Sequence, residues 1–231
     1  MARAAKKRTK RTQAKVARRR ATGETLHRGK TAAERRAERR ERLLATGLEL
    51  FGTLGYGETT IEGICAHAHV TARHFYEEFD SREALLMAVY DRVVAQGMGA
   101  VTVALEQAPA DDPLARARAA VRAFVDSMLD DPRRARVQCV QVVGVSAEME
   151  RHRRRVLRMF AGLLEREARE LARRGLIAER PFHIGAMAFV AGINELVIEA
   201  LEAPRRFPKD AIVEESVVLL AAAAGRATAA S

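Results

Sequence analysis

Gly55–Leu86 reads GYGETTIEGICAHAHVTARHFYEEFDSREALL, and two short helices with separate start signals can be laid on it. Thr59 with Glu62 forms a T-x-x-E capping box, which predicts a helix beginning near Thr60. Ile61, Ile64, Cys65 and Ala68 follow at the spacing that makes one buried helical face. His69 then falls where the chain must turn. Glycine takes a left-handed turn conformation at least cost, and histidine is among the residues that tolerate it. Val70 plugs the turn into the core, and Thr71 is a good N-cap for a second helix. Phe75 and Phe79 point inward from that helix, while Ala72, Arg73, Tyr76 and Glu77 stand on the opposite face. Asp80 or Ser81 caps the next helix, whose Leu85, Leu86 and Val89 return to the core. Two helices, a tight turn and a polar row on the second helix are the layout that sets one helix in the DNA major groove.

The flanking sequence continues as helix. Upstream, Thr31 with Glu34 makes a second capping box, and Leu43, Leu44, Gly47, Leu48, Phe51 and Leu54 form an inner stripe. Downstream, a helix from about Ser81 to Gly97 leads into a second region. Pro113 starts a helix that runs to about Asp130, and a shorter one follows Pro132. Ser146 caps a long arginine-rich helix that stops at Arg174-Gly175. Residues 181–203 and 209–224 make the last two. Strand-like alternation is nearly absent, so the expected fold is all-α. It comprises a three-helix helix-turn-helix segment over residues 31–90 and a larger helical domain over 91–231.

Charge is concentrated at one end. Residues 1–30 hold 12 Lys or Arg against one Glu, whereas residues 31–231 hold 28 basic against 29 acidic. Such a block, poor in apolar residues, is expected to be a disordered arm suited to nucleic acid. It lacks the apolar stretch of a secretory signal. No run of 18 apolar residues indicates a membrane span, so no membrane partner is expected. Cys65 and Cys139 are lone thiols in apolar helical contexts, which fits a reducing cytoplasm.

Catalytic chemistry finds no carrier: there is no phosphate loop, nucleophile elbow or two-histidine zinc motif. The chain is therefore expected not to be an enzyme and to need no cofactor. Cys65, His67 and His69 do not make a metal site, because His67 points away from the other two on a helix. Gln138, Gln141, Asn194 and Glu195 are the polar groups placed to make directional contacts in an apolar ligand pocket. The last two helices are apolar on more than one side, as Ile184, Met187, Phe189, Val190 and Ile193 in the first show, and so need a second partner.

The helix-turn-helix stretch resembles the tetracycline-repressor (TetR) family. The resemblance rests on Phe51, Gly55-Tyr56, Thr59-Thr60, Val70-Thr71, Phe75-Tyr76-Glu77-Glu78-Phe79 and Ser81-Arg82-Glu83-Ala84-Leu85-Leu86, and it spans roughly Ala32 to Val94. Two features depart from the family pattern: His69 replaces the turn glycine, and Glu77 and Glu78 replace basic or neutral residues. The resemblance implies a homodimeric cytoplasmic repressor that joins through its two C-terminal helices. It also implies a double-stranded DNA operator and a small, mostly apolar effector that releases the protein from it. Thr60, Thr71, Ala72, Arg73, Tyr76, Glu77 and Arg82 then become the DNA contacts. Arg73 would read guanine, Tyr76 would bond phosphate, and Thr60, Thr71 and Arg82 would clamp the backbone. A ligand-independent architectural DNA binder, led by the basic arm, is the competing expectation.

Overall fold

A computed structural model describes residues 31–225, and the expected disordered arm over residues 1–30 lies outside them. All regular structure in the described residues is helical. Residues 31–42 open helix α1 (Ala32–Thr53). The capping box that starts it is closed both ways: the Thr31 amide donates to Glu34 Oε2 at 2.6 Å, and the Glu34 amide donates to Thr31 Oγ1 at 3.1 Å.

From Leu43 onward α1 joins α2 (Ile61–Ala68) and α3 (Ala72–Tyr76) in the helix-turn-helix segment. Helix α4 (Arg82–Gln107) leads away from it to α5 (Pro113–Leu129) and α6 (Pro132–Ala135). A π-helical turn over Arg136–Gln141 follows, then α7 (Ala147–Arg173), α8 (His183–Glu202) and α9 (Lys209–Gly225). One contiguous apolar core runs from Leu43 through Phe75, Val89, Val125 and Met149 to Val213.

The starts follow the cap chemistry. Ser81 accepts from the Ala84 amide at 3.0 Å, Asp112 from Leu114 and Ala115, and Ser146 from Met149. Pro113 and Pro132 sit at first-turn positions where no N–H is needed. Gly175, at φ 70°, closes α7, with its amide on Ala172 O and the next amide on Leu171 O.

Three local expectations are corrected. Thr60, not Thr59, caps α2, accepting from the Gly63 amide at 3.0 Å. Thr59 is buried instead and its hydroxyl donates to Gly55 O at 2.7 Å. Helix α4 runs ten residues beyond Gly97, which is no stop signal: a Cβ there would meet Met128 Cε at 3.3 Å and Ser127 Oγ at 3.4 Å. The missing side chain lets α5 approach. Leu54 lies just past the end of α1 and is exposed, while Leu50 takes the inward place.

Helices α4 and α8 are each long and apolar enough to cross a bilayer by length and composition. In α4 that apolarity packs the core through Leu85, Leu86, Val89, Tyr90, Val93 and Val94. In α8 it is divided between the core, the wall of a cavity and an exposed face.

The loop between α1 and α2 is fastened at several points. Arg82 Nη1 donates to Thr59 O at 2.6 Å and to Gly57 O at 3.4 Å, and its guanidinium lies 4.1 Å from the centre of the Tyr56 ring. The Tyr56 amide donates to Gln141 Oε1 at 2.8 Å, across 85 residues of sequence. Gly52 touches α6 so closely that a Cβ would lie 2.8 Å from the Arg133 Cα. Because Arg82 holds carbonyls and stacks on an aromatic ring, Arg82→Ala should lower unfolding stability by about 1–3 kcal/mol. Urea denaturation without DNA checks this. Unchanged stability with weakened DNA binding would make Arg82 a phosphate contact instead.

Candidate nucleic-acid interface and effector cavity

The turn between α2 and α3 is the left-handed one. His69 has φ 52° and ψ 48°, and its amide and that of Val70 close on Ala66 O and Cys65 O. Among the non-glycine residues described, His69 alone has positive φ. Helix α3 is a five-residue turn seated on Phe75, which is fully buried, and on the nearby Phe79. Those two rings lie 6.1 Å apart and set the depth of the helix. Ala72, Arg73, Tyr76 and Glu77 all face outward, with Tyr76 55% exposed.

Arg73 extends from this face with its side chain 87% exposed, and its Nε donates to Glu77 Oε1 at 3.2 Å. An exposed pair of this kind adds little stability. Its consequence is orientation: the Glu77 carboxylate steadies the guanidinium beside it. Thr60 and Thr71 each accept from an amide three residues on, Gly63 and His74, and both are exposed. A hydroxyl that accepts a cap bond keeps its own hydrogen to donate. Arg82 differs from them, because its Nη1 is turned to the carbonyls of the α1–α2 loop. His67 is likewise engaged locally, with Nδ1 2.9 Å from Gly63 O.

The second site is a cavity of about 460 Å³. Its walls come from the C-terminal turns of α4 and α9, from α5, from the second half of α7 and from the first half of α8. Val101, Leu105, Phe124, Phe160, Leu164 and Val190 give it an apolar surface. Phe124 and Phe160 meet edge to face at 5.6 Å. Four polar side chains reach the lining: Arg116, Glu167, Arg180 and Asn194. Arg116 and Glu167 form a largely buried ion pair, and Arg116 also donates to Leu105 O at 3.1 Å.

Of the four residues expected to contact a ligand, only Asn194 lines this cavity. Gln138 is buried outside it. Gln141 turns to the α1–α2 loop and binds the Tyr56 amide, and Glu195 is exposed. The π-helical turn accounts for the first two: bonding from i to i+5 widens the turn and shifts side chains from their α-helical phase. Sequence reading missed Arg116, Glu167 and Arg180, since charges in arginine-rich helices resemble ordinary solvated pairs. Cys139, from the same π-helical turn, holds its thiol 3.9 Å from Asn194 Oδ1, and burial of that group pushes it up to about 12. Burial also raises Cys65, with Glu62 adding to it.

Comparison with known proteins gives the same segment. Residues 43–89 match the family model of bacterial regulatory proteins, tetR family. A 61-residue stretch is 33% identical to YerO of Bacillus subtilis, an uncharacterized HTH-type transcriptional regulator, and covers 26% of this chain and 21% of that one. The fold resembles FadR, a fatty acid degradation regulator of Bacillus halodurans, with TM-score 0.71 and 16% identity over 79% of this chain and 94% of the other. It also resembles FadR of Bacillus subtilis solved with stearoyl-CoA, with TM-score 0.69 and 15% identity over 78% and 96% of the two chains. The matched residues hold the buried frame of α1 to α4, the left-handed turn and the outward row of α3, and over them this chain is similar to the DNA-binding helix-turn-helix segment of tetR-family transcription regulators.

Proposed function

We propose that this protein is a transcriptional repressor that leaves its operator when a small, mostly apolar effector fills the cavity. One observation carries this reading: helix α4 begins in the helix-turn-helix core, where Leu85 packs against Gly47 of α1 and shares a cluster with Phe75 of α3, and it ends in the cavity wall with Val101 and Leu105. An occupant that displaces the wall acts on the same rod that seats α3. The division into a DNA-reading segment over 31–90 and a regulatory domain over 91–231 follows that function.

The effector is read from the cavity. Its apolar walls follow α8 from Phe182 to Asn194, twelve residues or about 18 Å. An acyl chain suits that length and surface, and the stearoyl-CoA held by FadR of Bacillus subtilis supports the same class. Two protomers join through α8 and α9, where Ile184 is 72% and Leu219 60% exposed. Pairing these faces sets two recognition helices one DNA turn, about 34 Å, apart. Such a protein works in the cytoplasm, where the chromosome is. Selection of bound sequences from a random DNA pool tests the reading. A repressor keeps a specificity ratio on the order of 10³ or more, and an architectural binder does not.

On the DNA face, Arg73 is the candidate base reader, with Ala72, Tyr76 and Glu77 beside it and Thr60 and Thr71 placed for phosphate. Arg73→Ala should cost about 1–3 kcal/mol of operator affinity and relax preference at one base position per half-site. Equal loss on specific and random DNA would make it a phosphate contact.

A second link joins the cavity to the reading head through Asn194, Cys139 and Gln141, which holds the Tyr56 amide. Gln141→Ala should speed hydrogen exchange across residues 55–60 and shift operator affinity by about 0.5–2 kcal/mol. Unchanged exchange and unchanged affinity would remove this link.

A further inference from the structure

We infer that Arg180 is the receptor for an anionic head on the effector, so that the cavity takes an amphiphile with negative charge at one end. The inference rests on the reading that this cavity holds the effector, and it adds the ligand's charge and direction. Three of the four polar groups in the lining are accounted for. Arg116 and Glu167 neutralise each other, and Asn194 meets the Cys139 thiol. Arg180 is the exception. Among the described residues no carboxylate pairs with it, and its Nη1 donates to one carbonyl, Ala223 O, at 3.1 Å. A guanidinium carries five N–H donors, so Arg180, half-buried at the cavity wall, has donors beyond the one on Ala223 O to offer a ligand's oxygens.

The surroundings reinforce the positive charge. Phe182, which precedes α8, gives no side-chain cap to the first turn of that helix. Phe182, Gly185 and Ala186 all line the cavity. The positive end of a 20-residue helix therefore opens beside Arg180. Gly185 makes room for the guanidinium, since a Cβ there would lie 3.2 Å from Arg180 Nη2. The Phe182 ring borders it, 5.9 Å from centroid to guanidinium carbon.

Arg180 stands at the Phe182 end of the cavity, and Asn194 lies twelve residues along α8. The apolar body of the ligand runs from the first toward the second. The anion is a carboxylate of a free acid or a phosphate of an acyl-CoA. Both present oxygen acceptors that a guanidinium binds in a fork.

Calorimetry on the full-length protein with decanoate, decanol and decanoyl-CoA tests the assignment. Decanoate should bind roughly 10- to 100-fold tighter than decanol, the range for a charge-assisted hydrogen bond. Arg180→Gln should erase most of that preference while leaving decanol affinity unchanged, and Arg180→Lys should restore part of it. If decanoyl-CoA is the ligand that prefers wild type over Arg180→Gln, with decanoate indifferent, the anion belongs to the coenzyme phosphates and the receptor role stands. Should Arg180→Gln lower stability yet keep every preference, Arg180 merely caps α9 and the inference is overturned. Wild-type binding of decanol as tight as either anion overturns the charge assignment alone. Binding of none of the three overturns the cavity reading itself.

Discussion

Helix α4 is a single rod of 26 residues, about 39 Å long, whose two ends belong to different sites. Its first turns, capped by Ser81, complete the core beneath α3. Gly47 of α1 comes so near that a Cβ would lie 2.9 Å from Val89 Cγ2. Its last turns carry Val101 and Leu105 into the cavity wall. No proline interrupts it, and of its two glycines Gly97 is spent on close packing with α5 while Gly99 faces open space, the helix running unbroken through both. A helix without such a break moves as a body. Val101 and Leu85 thus belong to one unbroken helix.

A rod alone leaves the reading head free to swivel, and lateral tethers oppose that. Gly52 sits against Arg133 at the start of α6. Glu83 accepts from the Ser146 hydroxyl, and Asp91 faces His152 Nε2 at 2.5 Å. Gln141 holds the Tyr56 amide. These contacts fall on the π-helical turn and its neighbours on either side. A π turn is a short, less stable segment that recurs at functional sites. Here it lies between a residue of the cavity wall, Asn194, and a backbone amide of the loop that precedes α2. Two sets of contacts thus connect the cavity wall with the helix-turn-helix segment, one along α4 and one across it.

Local chemistry was legible in the sequence because caps, stops and periodicity act within a few residues. The Thr31–Glu34 box, Pro113, Ser146 and Gly175 marked helix ends to within a residue or two. The outward row Ala72, Arg73, Tyr76 and Glu77 followed from the inward Phe75 and Phe79. What escaped was decided by residues far apart in the chain. Thr59 and Thr60 are alike in sequence, and only burial against the α1–α2 loop separates a core hydroxyl from a cap. Gln141 could be placed only by its partner 85 residues away. Arg116 and Glu167, 51 residues apart, became an internal pair only when α5 met α7.

The composition of α8 and α9 follows from serving several surfaces at once. Helix α8 buries Val197 and Ala200 in the core, gives Phe189, Val190, Ile193 and Asn194 to the cavity and leaves Ile184 outside. Helix α9 buries Ile212, Val213 and Val217 and exposes Val218 and Leu219. Its rotation is pinned by ion pairs to α5: Arg118 with Glu214, Arg122 with Asp210, and Lys209 with Asp126 and Asp130. Surface pairs like these add little stability one by one, but a helix apolar on two sides has no other strong preference for which side turns inward. The charges therefore choose the face. They hold Val217 in and Leu219 out, and the same choice brings Ala223 O to Arg180 at the cavity end.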